Sequence, residues 1–127
     1  MNKGLWLPAA LLAGILAFCL WNSASMVRST AQWRAQLEEA EHLAQAGDWE
    51  AAAAAIRAGY AGWSERQTYL HIVTNHDAVD AAEAMYHRCL AFAESEEDSE
   101  LRAELAELRD QLRLLAEMEE FSLKNVL

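Results

Sequence analysis

The sequence holds little that would break a helix. It has one proline, Pro8, five glycines in 127 residues, and few β-branched side chains against abundant alanine and leucine. That scarcity of breakers favours helix nearly throughout. There are two cysteines, Cys19 in an apolar run and Cys89 in an amphipathic stretch. They form no disulfide framework and report no redox compartment. Acidic residues are missing from the first 37 positions, and Lys3 is the only basic residue before Arg28. Residues 28–127 then carry 20 acids against nine bases, a formal net charge of −11. Such a surface repels phosphate backbones, so nucleic acid is not an expected partner. It repels anionic lipid headgroups too, and keeps the domain solvated. Catalytic signatures are also missing. There is no glycine-rich phosphate loop, and Ser64, Ser95, Ser99 and Ser122 lie in no nucleophile motif, so no enzymatic activity and no cofactor are expected.

What is present begins with LWLPAALLAGILAFCLW, residues 5–21, which carries no charge; the uncharged stretch continues through Val27. A helix from Gly4 to Val27 rises about 36 Å, enough to cross a hydrocarbon layer of about 30 Å. Trp6 and Trp21 bracket the run, as amphipathic rings do at membrane interfaces. Pro8 is placed in the first turn, where its missing N–H costs little. An uncleaved anchor through residues 5–27 competes with a signal peptide cut near Ser23-Ala24-Ser25, which would release a secreted domain. The apolar core is long for a signal peptide and Trp21 crowds the cut, which favours the anchor. Bulky Phe18 before Cys19 argues against a lipoprotein. Lys3 on one side nearly balances Arg28 and Arg34 on the other, so charge decides orientation weakly. A short leading segment before a long acidic domain favours a single-pass protein with that domain extracytoplasmic. The chain therefore divides into an anchor, 1–27, and an acidic helical domain, 28–127.

Trp33, Leu37, Ala40 and Ala44 follow a 4-3-4 spacing, one face of a helix that can continue the membrane segment. Gly47-Asp48 is the first stop, glycine as C′ and aspartate as N-cap of the next helix. Trp49, Ala53, Ile56, Tyr60, Trp63 and Leu70 mark a second face, with Gln67 in its polar slot. The run of alanines at 51–55 permits close helix approach. Gly59 and Gly62 weaken this helix unless they admit a neighbour's bulky side chain. Val79, Ala82, Tyr86, Cys89 and Ala93 mark a third face, and Asp98 or Ser99 caps a fourth helix. There Leu101, Leu105, Leu108, Leu112 and Leu115 form the most regular seam. The expected fold is all-α: an N-terminal transmembrane helix followed by a small antiparallel bundle or hairpin stack. LAQAGDWEAAAAAI resembles the junction of tetratricopeptide repeats, but one junction without a 34-residue period does not support a repeat array.

The stretch NHDAVD, residues 75–80, is the chief chemical candidate. Asn75 or Asp77 can cap the third helix, and Asp80 places a carboxylate in its first turn. The alternative is a metal-binding sensor or metal-dependent enzyme built on His71, His76 and Asp80. Zinc generally needs three or four convergent ligands, and this spacing does not supply them. Glu83 and His87 share a face at i,i+4, and His42 reads as a surface histidine. Cys89 faces the core, where a thiol is inert. Trp33, Trp49 and Trp63 read as packing residues. The closing stretch FSLKNVL is apolar again. Phe121, Leu123, Val126 and Leu127 either fold back on the bundle or dock on a protein partner. The reading these residues support is a membrane-anchored structural or protein-interaction module.

Several of these features together resemble a known family. They are the N-terminal apolar segment, the GDW-then-alanine junction, Trp63, Asn75-His76 with Val79-Asp80, and the ending from Glu119 to Leu127. The chain looks like a member of a family of small bacterial membrane-anchored proteins catalogued as a domain of unknown function, number four-three-six-three. The resemblance spans nearly the whole chain. It implies architecture and membrane location but no catalytic residue. It draws attention to His76, Asp80 and Asn125 as internal hydrogen-bond partners.

Overall fold

A computed structural model describes residues 3–67, 70 and 75–126. Among them are four helices and no strand. Helix α1, Lys3–Gln45, is one unbroken rod of 43 residues, roughly 65 Å long. No residue between Pro8 and Gly47 interrupts its backbone bonds, so the apolar segment and the first bundle helix are one element. Pro8 lies inside α1, in its second turn and not the first as expected from sequence. The helix starts as early as Lys3, and the proline removes one bond that Gly4 would otherwise accept.

α1 stops in a Schellman turn. Asp48 N–H donates to Leu43 O at 2.9 Å and Gly47 N–H to Ala44 O at 3.0 Å. Gly47 holds φ 83°, the left-handed conformation that glycine adopts without penalty. Asp48 then caps α2, Trp49–Glu65, accepting from Ala51 N–H at 3.2 Å. The sequence carried this helix on toward Leu70; it ends at Glu65 with Arg66 as its C-cap. α3 spans His76–Glu94 and α4 spans Asp98–Val126. Their junction repeats the Schellman pattern, with Glu97 N–H on Phe92 O at 2.9 Å and Glu96 at φ 57°.

α1 packs on α2 and α4, and α3 completes the ring between α2 and α4. The result is an antiparallel four-helix bundle, not an open hairpin stack. Its core takes a stripe from each helix. On α1 the stripe is Met26, Thr30, Trp33, Leu37, Ala40 and Ala44, all at most 5 % exposed. On α4 it is Leu101, Leu105, Leu108, Leu112, Leu115 and Glu119, at most 4 % exposed. Both keep a 4-3-4-3-4 spacing, the geometry of left-handed bundle packing. Each buried leucine contributes about 1.5–3 kcal/mol by leaving water. Packing begins at Met26, inside the stretch assigned by sequence to the anchor.

The two glycines of α2 admit neighbours, as expected. A Cβ at Gly62 would sit 3.0 Å from Trp33 Nε1, and one at Gly59 would meet Gln36 Oε1 at 3.5 Å and the Tyr86 ring at 3.6 Å. Ion pairs lie at the rim. Asp98–Arg102 (2.8 Å), Arg113–Glu117 (2.9 Å) and Glu120–Lys124 (3.8 Å) run along α4. Two more charges of α4 pair with other helices: Glu104 with Arg88, and Arg109 with Glu41 at 3.1 Å.

Candidate functional site

In NHDAVD the cap is Asn75, and the acid in the first turn of α3 is Asp77 and not Asp80 as expected, because the helix starts at His76. Asn75 Oδ1 accepts from Asp77 N–H at 2.8 Å and from Ala78 N–H at 3.4 Å, which starts α3. His76 and Asp80 face each other at 3.5 Å one turn apart. Their side chains are 72 % and 54 % exposed, so the pair stands at the surface. His71 lies outside the described residues. Among the described residues no three His, Cys, Asp or Glu side chains converge on a point that could hold a metal. Asn125 and His42 are exposed.

The half of the bundle nearest the apolar segment has a different character from the far half. Far from it the core is alanine, isoleucine, cysteine and leucine. Near it, aromatic Trp33, Trp63 and Tyr86 and polar Thr30 and Glu119 join Met26, Val79, Ala82, Leu112 and Leu115. Trp63 and Tyr86 are at most 1 % exposed, with rings 5.4 Å apart at 38°. Tyr60 joins them, 5.5 Å from Tyr86 and 5.2 Å from His87. Its hydroxyl donates to Glu83 Oε1 at 3.0 Å, and Gln67 Nε2 donates to Glu83 Oε2 at 3.4 Å. Partial burial and the adjacent Glu83 carboxylate raise the Tyr60 pKa. Glu83 is thus turned toward α2, while His87 leans on the Tyr60 ring. The Trp63 indole N–H, the Tyr86 hydroxyl and Gln36 Oε1 are buried and find no hydrogen-bond partner among the described residues. Burial pushes the Tyr86 hydroxyl well up, and the nearby Cys89 adds to the shift. Burial likewise pushes the Cys89 thiol up to about 12, with the Glu104 charge adding to it. A thiol so held stays protonated and is a poor nucleophile. Sequence periodicity placed these rings correctly on the core faces. It missed the Tyr60–Glu83–Gln67 network, whose only signal was polar residues flanking an apolar seam.

Between α1 and α2 a polar groove of about 290 Å³ opens, with Ser29, Gln32 and Gln36 on one wall and Glu65 and Arg66 on the other. Arg66 donates to Ser25 Oγ at 3.3 Å, tying the end of α2 to α1 near the end of the uncharged run. Below this point α1 is bare. Leu5, Trp6, Leu7, Leu11, Leu12, Phe18 and Trp21 are each more than 60 % exposed. The most apolar 18-residue window of α1 has mean hydropathy 2.0, and none of it is buried. From Gly4 to Ser25 the helix rises roughly 33 Å, long enough to cross a membrane.

At the same end of the α1–α4 packing, Phe121 is 66 % exposed. α4 runs on through Val126, so the closing stretch continues the helix as a rod. The side chains of Leu123 and Val126, and Leu127 as a whole, lie outside what the structure describes.

These features define an all-α class: a four-helix bundle carried on the continuation of its own first helix, with a long bare apolar segment. The chain belongs to the family described as domain of unknown function (DUF4363), whose model matches residues 20–126. The match covers the bundle and leaves most of the bare segment outside it. No curated protein and no solved structure matches the chain.

Proposed function

We propose that this chain is a single-pass membrane protein whose acidic bundle is a structural or protein-interaction module on the extracytoplasmic side. The observation that carries the reading is the continuity of α1. A bare apolar stretch long enough to cross a bilayer passes without a break into the helix that supplies a quarter of the bundle core. Exposed apolar surface of that extent needs a cover, and lipid supplies one. The rigid junction would hold the bundle at a fixed height over the membrane, as suits a module that presents a surface to a protein partner. The groups capable of chemistry support binding over catalysis. Cys89 is buried with a raised pKa, and His76 pairs with Asp80 on the open surface.

The test is carbonate extraction of cell membranes followed by intact mass of the retained chain, with protease added outside intact spheroplasts. The expected result is full-length protein in the pellet whose bundle is digested from outside. Full-length protein in the soluble fraction would defeat the anchor. A mass beginning near Ser25 would establish cleavage and secretion instead, and protection from protease would reverse the orientation.

A further inference from the structure

The last buried side chain described on α4 is Glu119, and the helix continues to Val126. Those further turns extend about 10 Å past Glu119 at 1.5 Å per residue. Their height relative to α1 follows from the Arg109–Glu41 pair, 3.1 Å apart on antiparallel helices. Counting from that pair, Phe121 lies level with about residue 29 and Val126 with about residue 24. Aligning the ends of the two buried stripes instead, Met26 beside Glu119, moves both about five residues further along α1. Either register brings the last turns of α4 down to the end of the uncharged run.

The geometry points to a second membrane contact: the last turns of α4 rest in the boundary between lipid headgroups and acyl chains, beside the emerging α1. This rests on the anchor reading proposed above. The chemistry of the turns fits that depth. Phe121, 66 % exposed, is an aromatic side chain at headgroup level, and Leu123 and Val126 follow it in sequence. Lys124 is 74 % exposed and 3.8 Å from Glu120; its stem can lie along apolar surface while its charge stays in water. A second copy is a poorer occupant, because it would bring another domain of net charge −11 against this one. A bilayer of zwitterionic lipid meets no such repulsion.

The experiment uses the full chain in phosphatidylcholine nanodiscs with an environment-sensitive fluorophore at one cysteine. Cys19→Ala removes the cysteine of the membrane segment; Cys89 stays, because it is fully buried. Single labels go at Phe121→Cys, at Leu114→Cys two turns earlier on the same face, and at Ile15→Cys in the middle of the apolar segment. The expected result is a blue shift at 121 and quenching there by lipids carrying a nitroxide near the headgroup. The label at 114 stays water-like, and the label at 15 is quenched by nitroxides deep in the acyl chains. Quenching at 15 with none at 121 overturns the second contact while the anchor stands. Equal quenching at 114 and 121 overturns it too, since the bundle would then lie flat on the membrane. No quenching at 15 defeats the anchor and this inference together.

Discussion

Glu96 adopts φ 57° at the end of α3, where Gly47 does the same work at the end of α1. A non-glycine side chain in that conformation costs about 1–2 kcal/mol. Glu96→Gly is therefore expected to stabilise the bundle by about 1 kcal/mol, read as a higher midpoint in denaturant. Tyr86 offers a second case. Its hydroxyl is buried without a partner among the described residues, and a buried unsatisfied group costs about 1–3 kcal/mol. Tyr86→Phe is expected to leave the fold intact and raise stability by about 1 kcal/mol. Tyr86 and Cys89 also set a pH limit. Both pKa values are raised, Cys89 from 9.0 to about 12. Above the ordinary values the unfolded chain loses these protons while the folded chain keeps them. Stability is thus full below about pH 9 and falls as pH rises toward 12, by up to about 1.4 kcal/mol per unit for each group. Thermal melts from pH 8 to 11 should show this fall, and Tyr86→Phe should make it shallower.

At the scale of elements, α2 shows why two glycines in one helix are not equivalent. A Cβ at Gly59 meets only ordinary contacts, the nearest at 3.5 Å. Gly59→Ala gains helix propensity and is expected to stabilise by about 0.5–1 kcal/mol. A Cβ at Gly62 would stand 3.0 Å from Trp33 Nε1. Trp33 is 4 % exposed and packed into the core, so its ring has little room to yield. Gly62→Ala is expected to lose that gain and destabilise by about 1 kcal/mol. Chemical denaturation of the two variants side by side checks the contrast. Nothing in the sequence ranks them, because each is a glycine in an alanine-rich helix. Their difference is made by which residue of α1 lies opposite.

For the whole molecule, the point where the apolar segment becomes the bundle is a matter of packing. Met26 is 1 % exposed and belongs to the core stripe of α1. A chain beginning at residue 22 keeps it, and a chain beginning at residue 28 does not. The shorter chain is expected to be less stable by about 2 kcal/mol, measured by urea unfolding of the two soluble forms. The sequence placed the boundary at the last uncharged residue, because charge is what a linear reading can see. The seam itself was partly legible, since Met26 and Thr30 continue the 4-3-4 spacing of Trp33, Leu37, Ala40 and Ala44.

By itself the sequence determined the four helices, the Gly47-Asp48 turn, a cap at Asn75 or Asp77 and the residues that face inward. These are local matters: periodicity, caps and the scarcity of breakers act within a few residues along the chain. The tertiary structure decided that the helices close into a ring and that Trp33 fits over Gly62. It also decided that Glu83 serves Tyr60 and Gln67, and that α4 reaches the level of the uncharged run. Each depends on the relative height and rotation of helices distant in sequence, which are fixed by packing between faces and not by any one of them.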